Sequence, residues 1–398
     1  MSQAAQGDLV GNRAMSPDDF HDCIPRIAEV AEVPLEVPSD LGARLQAAAR
    51  GLVVPEELLR ECASALIAGH LVLQGPPGTG KSSLARALAD AFNTQLWPAT
   101  AHEEWSTYEV IGRQDLQVID GKEELIPVNG HFTEAVIECA GRIPKYQDNA
   151  NVPQATWLLI DELNRAHADK AFGELFSVLG SSDPVEVVLG YQRVGNDRLR
   201  VPRRFRIIAT VNSIDKQFVN SLSQGLRRRF TFLTLDVPPR KPETESWNGG
   251  ASLAAREYSR VLEAAAGRAA PRTPLDTAAL VVHMSIPPVS DLLSSLFDLV
   301  ASVRYADEES AKPFIPVGTA PLIDTLELFL IHSQLDGGND EAAALDWAVS
   351  VKLAPLFEAA SIHRDKLRTL ASTLPAPFDG ATRRALLAIE SDGLYYVS

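Results

Sequence analysis

The chain has 398 residues, 45% of them hydrophobic and 22% charged, and its 37 basic against 52 acidic side chains give a formal charge of −15. That balance excludes a disordered tail, a collagen-like fibre and a disulfide scaffold. It also argues against a protein that mainly coats nucleic acid, because neutralising phosphates calls for a basic chain, although a local basic groove stays open.

The length accommodates two or three domains. Cys23, Cys62 and Cys139 are far apart and lack CxxC spacing, so reduced thiols are expected, not a disulfide. The first residues carry neither a basic nor an apolar signal-peptide region, and no apolar run reaches the roughly 18 residues of a membrane span. The expectation is a cytoplasmic protein without membrane contact.

Residues 1–40 hold Pro17, Pro25, Pro34 and Pro38 among acidic residues and read as a partly disordered or short helical leader. From Leu41 the pattern becomes helical, and Pro55 followed by Glu56 and Glu57 marks a helix start. His70 to Gln74 reads as a buried strand running into a glycine-rich turn. The next helix carries Leu84, Leu88, Ala91 and Phe92 on one face. TWLLIDEL suits a central parallel strand, and DKAFGELFSVLG places Phe172, Leu175, Phe176 and Leu179 on one helical face. VEVVLGYQRVGNDRLRV reads as a hairpin turning at Gly195-Asn196-Asp197. RFRIIATVN and RRFTFLTLD are the remaining strands. Alternating strands and helices over 41–240 predict an α/β domain with a mostly parallel sheet, and 241–398, rich in Ala, Leu and Ser, predicts a helical second domain.

Gly75-Pro76-Pro77-Gly78-Thr79-Gly80-Lys81-Ser82 satisfies G-x-x-x-x-G-K-[ST], with Ser83 next in the helix it opens. Glycines let backbone N–H groups converge on phosphate oxygens, and the helix N-terminus adds partial positive charge. Lys81 supplies a cation for the terminal phosphates, and Ser82 can ligate Mg²⁺. Asp161 and Glu162 end the apolar run 80 positions after Lys81. Beside a phosphate loop, Asp161 suits the Mg²⁺ shell and Glu162 a general base for water. Asn212 ends the strand Ile207 to Val211, where it can hold the lytic water or touch the γ-phosphate, or simply cap the strand. Arg227, Arg228 and Arg229 offer an arginine finger for a neighbouring subunit, or structural salt bridges; at least one of each role is expected.

Other features carry less. His102-Glu103-Glu104 lacks metal-ligand spacing and reads as a polar loop. Arg193, Arg198, Arg200, Arg203, Arg204 and Arg206 make the hairpin region basic. A solvated or intersubunit face is preferred there over a nucleic-acid contact. Trp97, Trp105 and Tyr108 read as packing residues.

Leu159-Ile160-Asp161-Glu162-Leu163-Asn164-Arg165-Ala166, then Phe172-Gly173-Glu174-Leu175, resembles the D-E-[IL]-N-R-A … F-G-E-L stretch of McrB-like proteins. Thr210-Val211-Asn212-Ser213-Ile214-Asp215-Lys216 and Leu226 to Phe230 are similar to that group's T-M-N-T-x-D-R … L-R-R-R-F, with Val211, Ser213 and Lys216 as mild departures. Glu109 to Gly112 and Gly130 to Ala135 resemble segments that flank an insert over 113–129, and residues 185–202 resemble the hairpin of this clade. Ile315 to Ala320 and Leu353 to Glu358 resemble lid segments.

Together the set resembles AAA+ ATPases of the MoxR/McrB/dynein-related group, closest to the NTPase subunit of McrBC-type restriction systems. The resemblance implies an AAA+ P-loop core with a C-terminal helical lid, binding ATP or GTP with Mg²⁺ through Gly75 to Ser83 and Asp161. It implies Glu162 as activator of water, Asn212 as sensor 1 and Arg228 as the leading finger candidate. No arginine stands at the start of the helix expected after Gly318, where many AAA+ lids begin with one. The implied assembly is a homo-oligomeric, hexameric ring that drives a separate effector, a nuclease or an A-domain protein, with nucleic acid reached through that partner. The implied role is a restriction or antiphage motor. Alternatives are a MoxR-type chaperone for a von Willebrand factor A-domain partner or metal-cofactor insertion, and a nucleotide-dependent scaffold with little turnover, against which Glu162 and Asn212 argue.

Overall fold

A computed structural model describes residues 27–119, 122–175, 179, 186–192, 197–213, 223–238, 253–304, 315–335, 337–359 and 364–392. Most of the expected leader, Cys23, Phe176, Arg193, the hairpin turn at 195–196 and residues 214–216 lie outside this set.

Five strands form one sheet: β1 (His70–Gly75), β2 (Gln95–Thr100), β5 (Thr156–Asp161), β8 (Ile207–Asn212) and β9 (Phe230–Thr234), in the order β2-β5-β8-β1-β9. Every pairing is parallel. Leu71, Val72 and Leu73 are buried without the alternation of a half-exposed strand, as helices on both faces require. From β1 the chain crosses to the far edge at β2 and returns through β5 and β8. It then places β9 on the other side of β1. The order therefore reverses around β1, and the crevice at the strands' carboxyl ends is where such sheets bind ligands.

Helices α1 (Leu41–Ala48), α2 (Glu56–Ala68), α3 (Lys81–Ala91) and α4 (His131–Asp148) flank this sheet. Pro55 is the N-cap of α2, and Glu56 and Glu57 fill its first turn. Leu84, Leu88, Ala91 and the following Phe92 are all buried, the expected face. Two antiparallel hairpins interrupt the layer, β3 (Gly112–Ile119) with β4 (Lys122–Asn129) and β6 (Glu186–Val188) with β7 (Arg198–Arg200). The stretch expected as one helix from Asp169 is instead the short α-turn Ala168–Phe172 followed by the 3₁₀ turn Gly173–Leu175. A three-residue turn stacks residues i and i+3, and Phe172 and Leu175 are both buried.

Residues 27–40 lie against the sheet domain. Glu36 N–H donates to Gln154 Oε1 at 2.9 Å, and Gln154 Nε2 donates back to the Glu36 carbonyl at 2.8 Å. Arg203 N–H donates to the Ala31 carbonyl at 2.9 Å.

A second core is all helical. It contains α5 (Leu253–Ala269), α6 (Thr277–Met284), α7 (Val289–Arg304), α8 (Thr319–Leu335), α9 (Glu341–Lys352) and shorter helices to Asp392. No single helix among the described residues is long and apolar enough to cross a membrane.

Candidate functional site

Strand β1 ends at Gly75, whose φ of +157° and surroundings suit only glycine: a Cβ there would stand 2.0 Å from the Leu235 carbonyl oxygen. The loop turns through Gly78 (φ +76°) and Gly80 (φ +93°), both in the left-handed region, and Gly80 is the N-cap of α3. Lys81 is buried, and its Nζ donates to the carbonyls of Gly75 at 3.0 Å and Pro76 at 2.7 Å. Those bonds offset the cost of desolvating an ammonium. Thr79 Oγ1 donates to the Pro76 carbonyl, which tightens the turn.

Parallel register brings three strand ends together. Gly75 of β1 lies opposite Asn212 of β8, and Ile160 of β5 opposite Ala209, so Asp161 arrives beside Thr210. Ser82 Oγ donates to Asp161 Oδ1 at 2.6 Å, and Thr210 Oγ1 donates to the same oxygen at 3.1 Å. Thr210 Oγ1 in turn accepts from the Glu162 N–H at 3.0 Å. Glu162 lies just beyond β5 with φ +59°, a left-handed conformation that few non-glycine residues adopt. Its Oε1 accepts from Asn212 Nδ2 at 3.3 Å, and its Oε2 is ion-paired with Arg165 Nε at 2.6 Å. Buried Asn164 donates through Nδ2 to the Asn212 carbonyl, while its Oδ1 has no hydrogen-bond partner among the described residues.

A cavity of about 470 Å³ opens over these groups, lined by Pro77, Gly78, Gly80, Lys81, Ser82, Ser83, Thr100, Asp161, Glu162, Thr210, Asn212 and Ala320. That size falls within the range of small-molecule sites. Ala320 belongs to the helical region, and its N–H donates to the Gly78 carbonyl at 3.0 Å. Thr210, Arg165 and Ala320 were not singled out as functional in the sequence. Thr210 sits two residues before Asn212, so strand alternation alone was a signal for it.

The three arginines do not line this cavity. Arg227 stacks over the Phe232 ring at 5.7 Å, and Arg229 donates to the Gly225 carbonyl at 2.6 Å. Arg228 is exposed, and its guanidinium has no partner among the described residues. The described arginines of the basic hairpin region all have partners. Arg198 pairs with Glu186, and Arg200 and Arg203 pair with Glu32. Arg204 and Arg206 donate to backbone carbonyls, and burial pulls Arg206 down to about 10. Trp105 is buried, with His102 edge-on at 6.2 Å, whereas Tyr108 is exposed.

Residues 70–230 match the family described as AAA domain (dynein-related subfamily). The chain is 27% identical over 202 residues to the Type IV methyl-directed restriction enzyme EcoKMcrB subunit of Escherichia coli, covering 48% of this chain and 41% of that protein. It is 31% identical over 229 residues to the Type II restriction enzyme BsuMI component YdiS of Bacillus subtilis, covering 48% of this chain and 63% of that protein. The match thus spans less than two thirds of either relative's length. A RuvB mutant chain of Thermotoga maritima aligns over 84% of this chain and 86% of its own at 14% identity and a TM-score of 0.39, too distant to carry weight.

Proposed function

We propose that the chain is an AAA+ ATPase of the McrB-like group, the reading that the match over residues 70–230 and the two restriction-subunit relatives support, and that it hydrolyses ATP or GTP with Mg²⁺ to drive a separate effector of a restriction-type defence system. The observation that carries the reading is the hydrogen-bonded chain Ser82–Asp161–Thr210–Glu162–Asn212, which joins the phosphate loop to two neighbouring strand ends.

The residues fit the groups this chemistry needs. Gly78 and Gly80 shape a backbone cradle, and Lys81 is a buried cation whose Nζ donates to the Gly75 and Pro76 carbonyls. Ser82 and Asp161 present hard oxygen donors 2.6 Å apart, the ligand type Mg²⁺ takes. Mg²⁺ bound there supplies charge neutralisation on the terminal phosphates. Lys81 exchanges its loop carbonyls for phosphate oxygens. Glu162 accepts a proton from the attacking water, with Asn212 Nδ2 orienting one carboxylate oxygen. Arg165 holds the other oxygen and must release it for Glu162 to act as a base. Exposed Arg228 reaches the site of an adjacent copy in a homo-oligomeric, hexameric ring.

In this reading 1–40 is a leader, 41–240 the nucleotide-binding core and 241–398 the lid and C-terminal region. Nucleic acid is engaged through the effector, which is a nuclease. Glu162→Gln tests the proposal. Removing the base should cut phosphate release by roughly 10²–10⁴-fold while nucleotide binding persists, and turnover at the wild-type rate would refute it.

A further inference from the structure

The helical region contains a fully buried ion pair that the hydrolysis chemistry does not use. Glu257 on α5 and Arg304 at the end of α7 have side chains only 3% and 5% exposed. Arg304 Nη1 and Nη2 fork onto the two oxygens of Glu257 at 2.7 and 2.8 Å. The remaining groups of the pair point one way. Arg304 Nε donates to the Val317 carbonyl at 2.8 Å, and Glu257 Oε1 accepts from Thr319 Oγ1 at 2.8 Å. Residues 317 and 319 are thereby held from both sides, with Gly318 between them.

Gly318 is where this region meets the phosphate loop. A Cβ on Gly318 would stand 2.5 Å from the Gly78 carbonyl carbon and 2.7 Å from the Pro77 carbonyl oxygen. Two residues on, Ala320 N–H donates to the Gly78 carbonyl, and Pro321 Cδ would stand 2.6 Å from a Cβ on Gly78. On its other side α5 touches the loop between α1 and α2, where Arg256 donates to the Leu52 carbonyl at 3.1 Å. A buried ion pair gives little net stability over apolar packing of similar volume. What this one has is direction: each bond outside the pair ends on the turn that seats Gly318 against Gly78.

We propose that Glu257, Arg304 and Thr319 are positioning residues for the nucleotide site, holding the 317–319 turn against the phosphate loop so that the loop is set for phosphate. The inference rests on the nucleotide-binding reading above. It assigns the lid's link to the loop to a buried carboxylate–guanidinium pair acting through backbone, in a chain with Thr319, Ala320 and Pro321 after Gly318.

The test measures binding of a fluorescent methylanthraniloyl-ATP with Mg²⁺ to the full chain, together with melting temperature with and without nucleotide. Thr319→Val keeps shape and removes the hydroxyl, leaving the Glu257–Arg304 fork intact. Binding should weaken about tenfold, as loss of one hydrogen bond to a charged group implies. Thr319→Ser should restore it to within about twofold, and the nucleotide-induced rise in melting temperature should shrink for valine only. Gly318→Ala, which forces the turn off Gly78, should weaken binding at least as much. Wild-type affinity in both Thr319→Val and Gly318→Ala overturns the inference while leaving the nucleotide site standing. A lower melting temperature without nucleotide and unchanged affinity also overturns it, because that is the mark of a purely structural pair. No binding to the wild-type chain overturns both readings.

Discussion

Replacing Thr210 by valine separates the acid pair from the strand that organises it. The hydroxyl donates to Asp161 Oδ1 at 3.1 Å and accepts from the Glu162 N–H at 3.0 Å, and the residue is buried. Valine matches threonine in shape, so the cavity wall stays filled. The part-buried Glu162 N–H loses its acceptor, which costs about 1 kcal/mol, the lower end of the range for an unpaired donor. Asp161 loses a charge-assisted bond, but Ser82 still donates to it at 2.6 Å. Glu162 is held at φ +59°, a backbone state that itself costs roughly 1–2 kcal/mol. Without the Thr210 bond that cost is no longer offset, and the carboxylate leaves its place beside Asn212. An uncompensated loss of about 1.4–2.8 kcal/mol corresponds to roughly ten- to hundredfold in rate. Steady-state phosphate release should fall by that factor, with methylanthraniloyl-ATP affinity changed less than about threefold. Thr210→Ser, which keeps both bonds, should retain most of the rate. Turnover by Thr210→Val within twofold of wild type, or an equal loss in Thr210→Ser, would refute the reasoning.

Arg228→Ala should lose phosphate release by about 10³-fold or more, the usual worth of a finger, while sizing chromatography with nucleotide shows the assembly intact. Loss of assembly together with activity would make Arg228 an interface residue instead. Cys62 and Cys139 are buried, and burial pushes both thiols up to about 12, with the neighbouring Glu61 charge adding to the rise at Cys62. Because a raised value keeps the neutral thiol through pH 8, both should resist iodoacetamide in the native chain and label only in denaturant. Rapid native labelling of either, read by peptide mapping, would contradict this packing.

Local features were readable in the sequence; those made by distant contacts were not. The phosphate loop is written in eight consecutive residues, and its strand-to-helix setting follows from the apolar run before it and the Leu84/Leu88 face after it. Asp161 and Glu162 stand out because acids close an apolar strand. The left-handed turn at Glu162 is invisible in that run, since it depends on Thr210, 48 positions away. The partners of the basic hairpin were hidden for the same reason. Arg200 and Arg203 meet Glu32, which sits in the segment read as a leader. The Glu257–Arg304–Thr319 cluster unites three helices whose own patterns mark each residue only as a polar position on a helix.

Charge accounting along the basic band strengthens one assignment that motif alone left open among three arginines. Arg198 is paired with Glu186, Arg200 and Arg203 share Glu32, and Arg204, Arg206 and Arg229 donate to backbone carbonyls. Arg227 lies against the Phe232 ring. Those side chains would have to give up these partners to swing away. Arg228 differs: among the described residues its exposed guanidinium has no partner to give up. A residue that must act on a neighbouring subunit's phosphates needs a free cation at the surface, fixed by its backbone and not by its side chain. Arg228 meets this, with its N–H tied to the Gln224 carbonyl at 3.2 Å and the buried Leu226 anchoring the short helix before it.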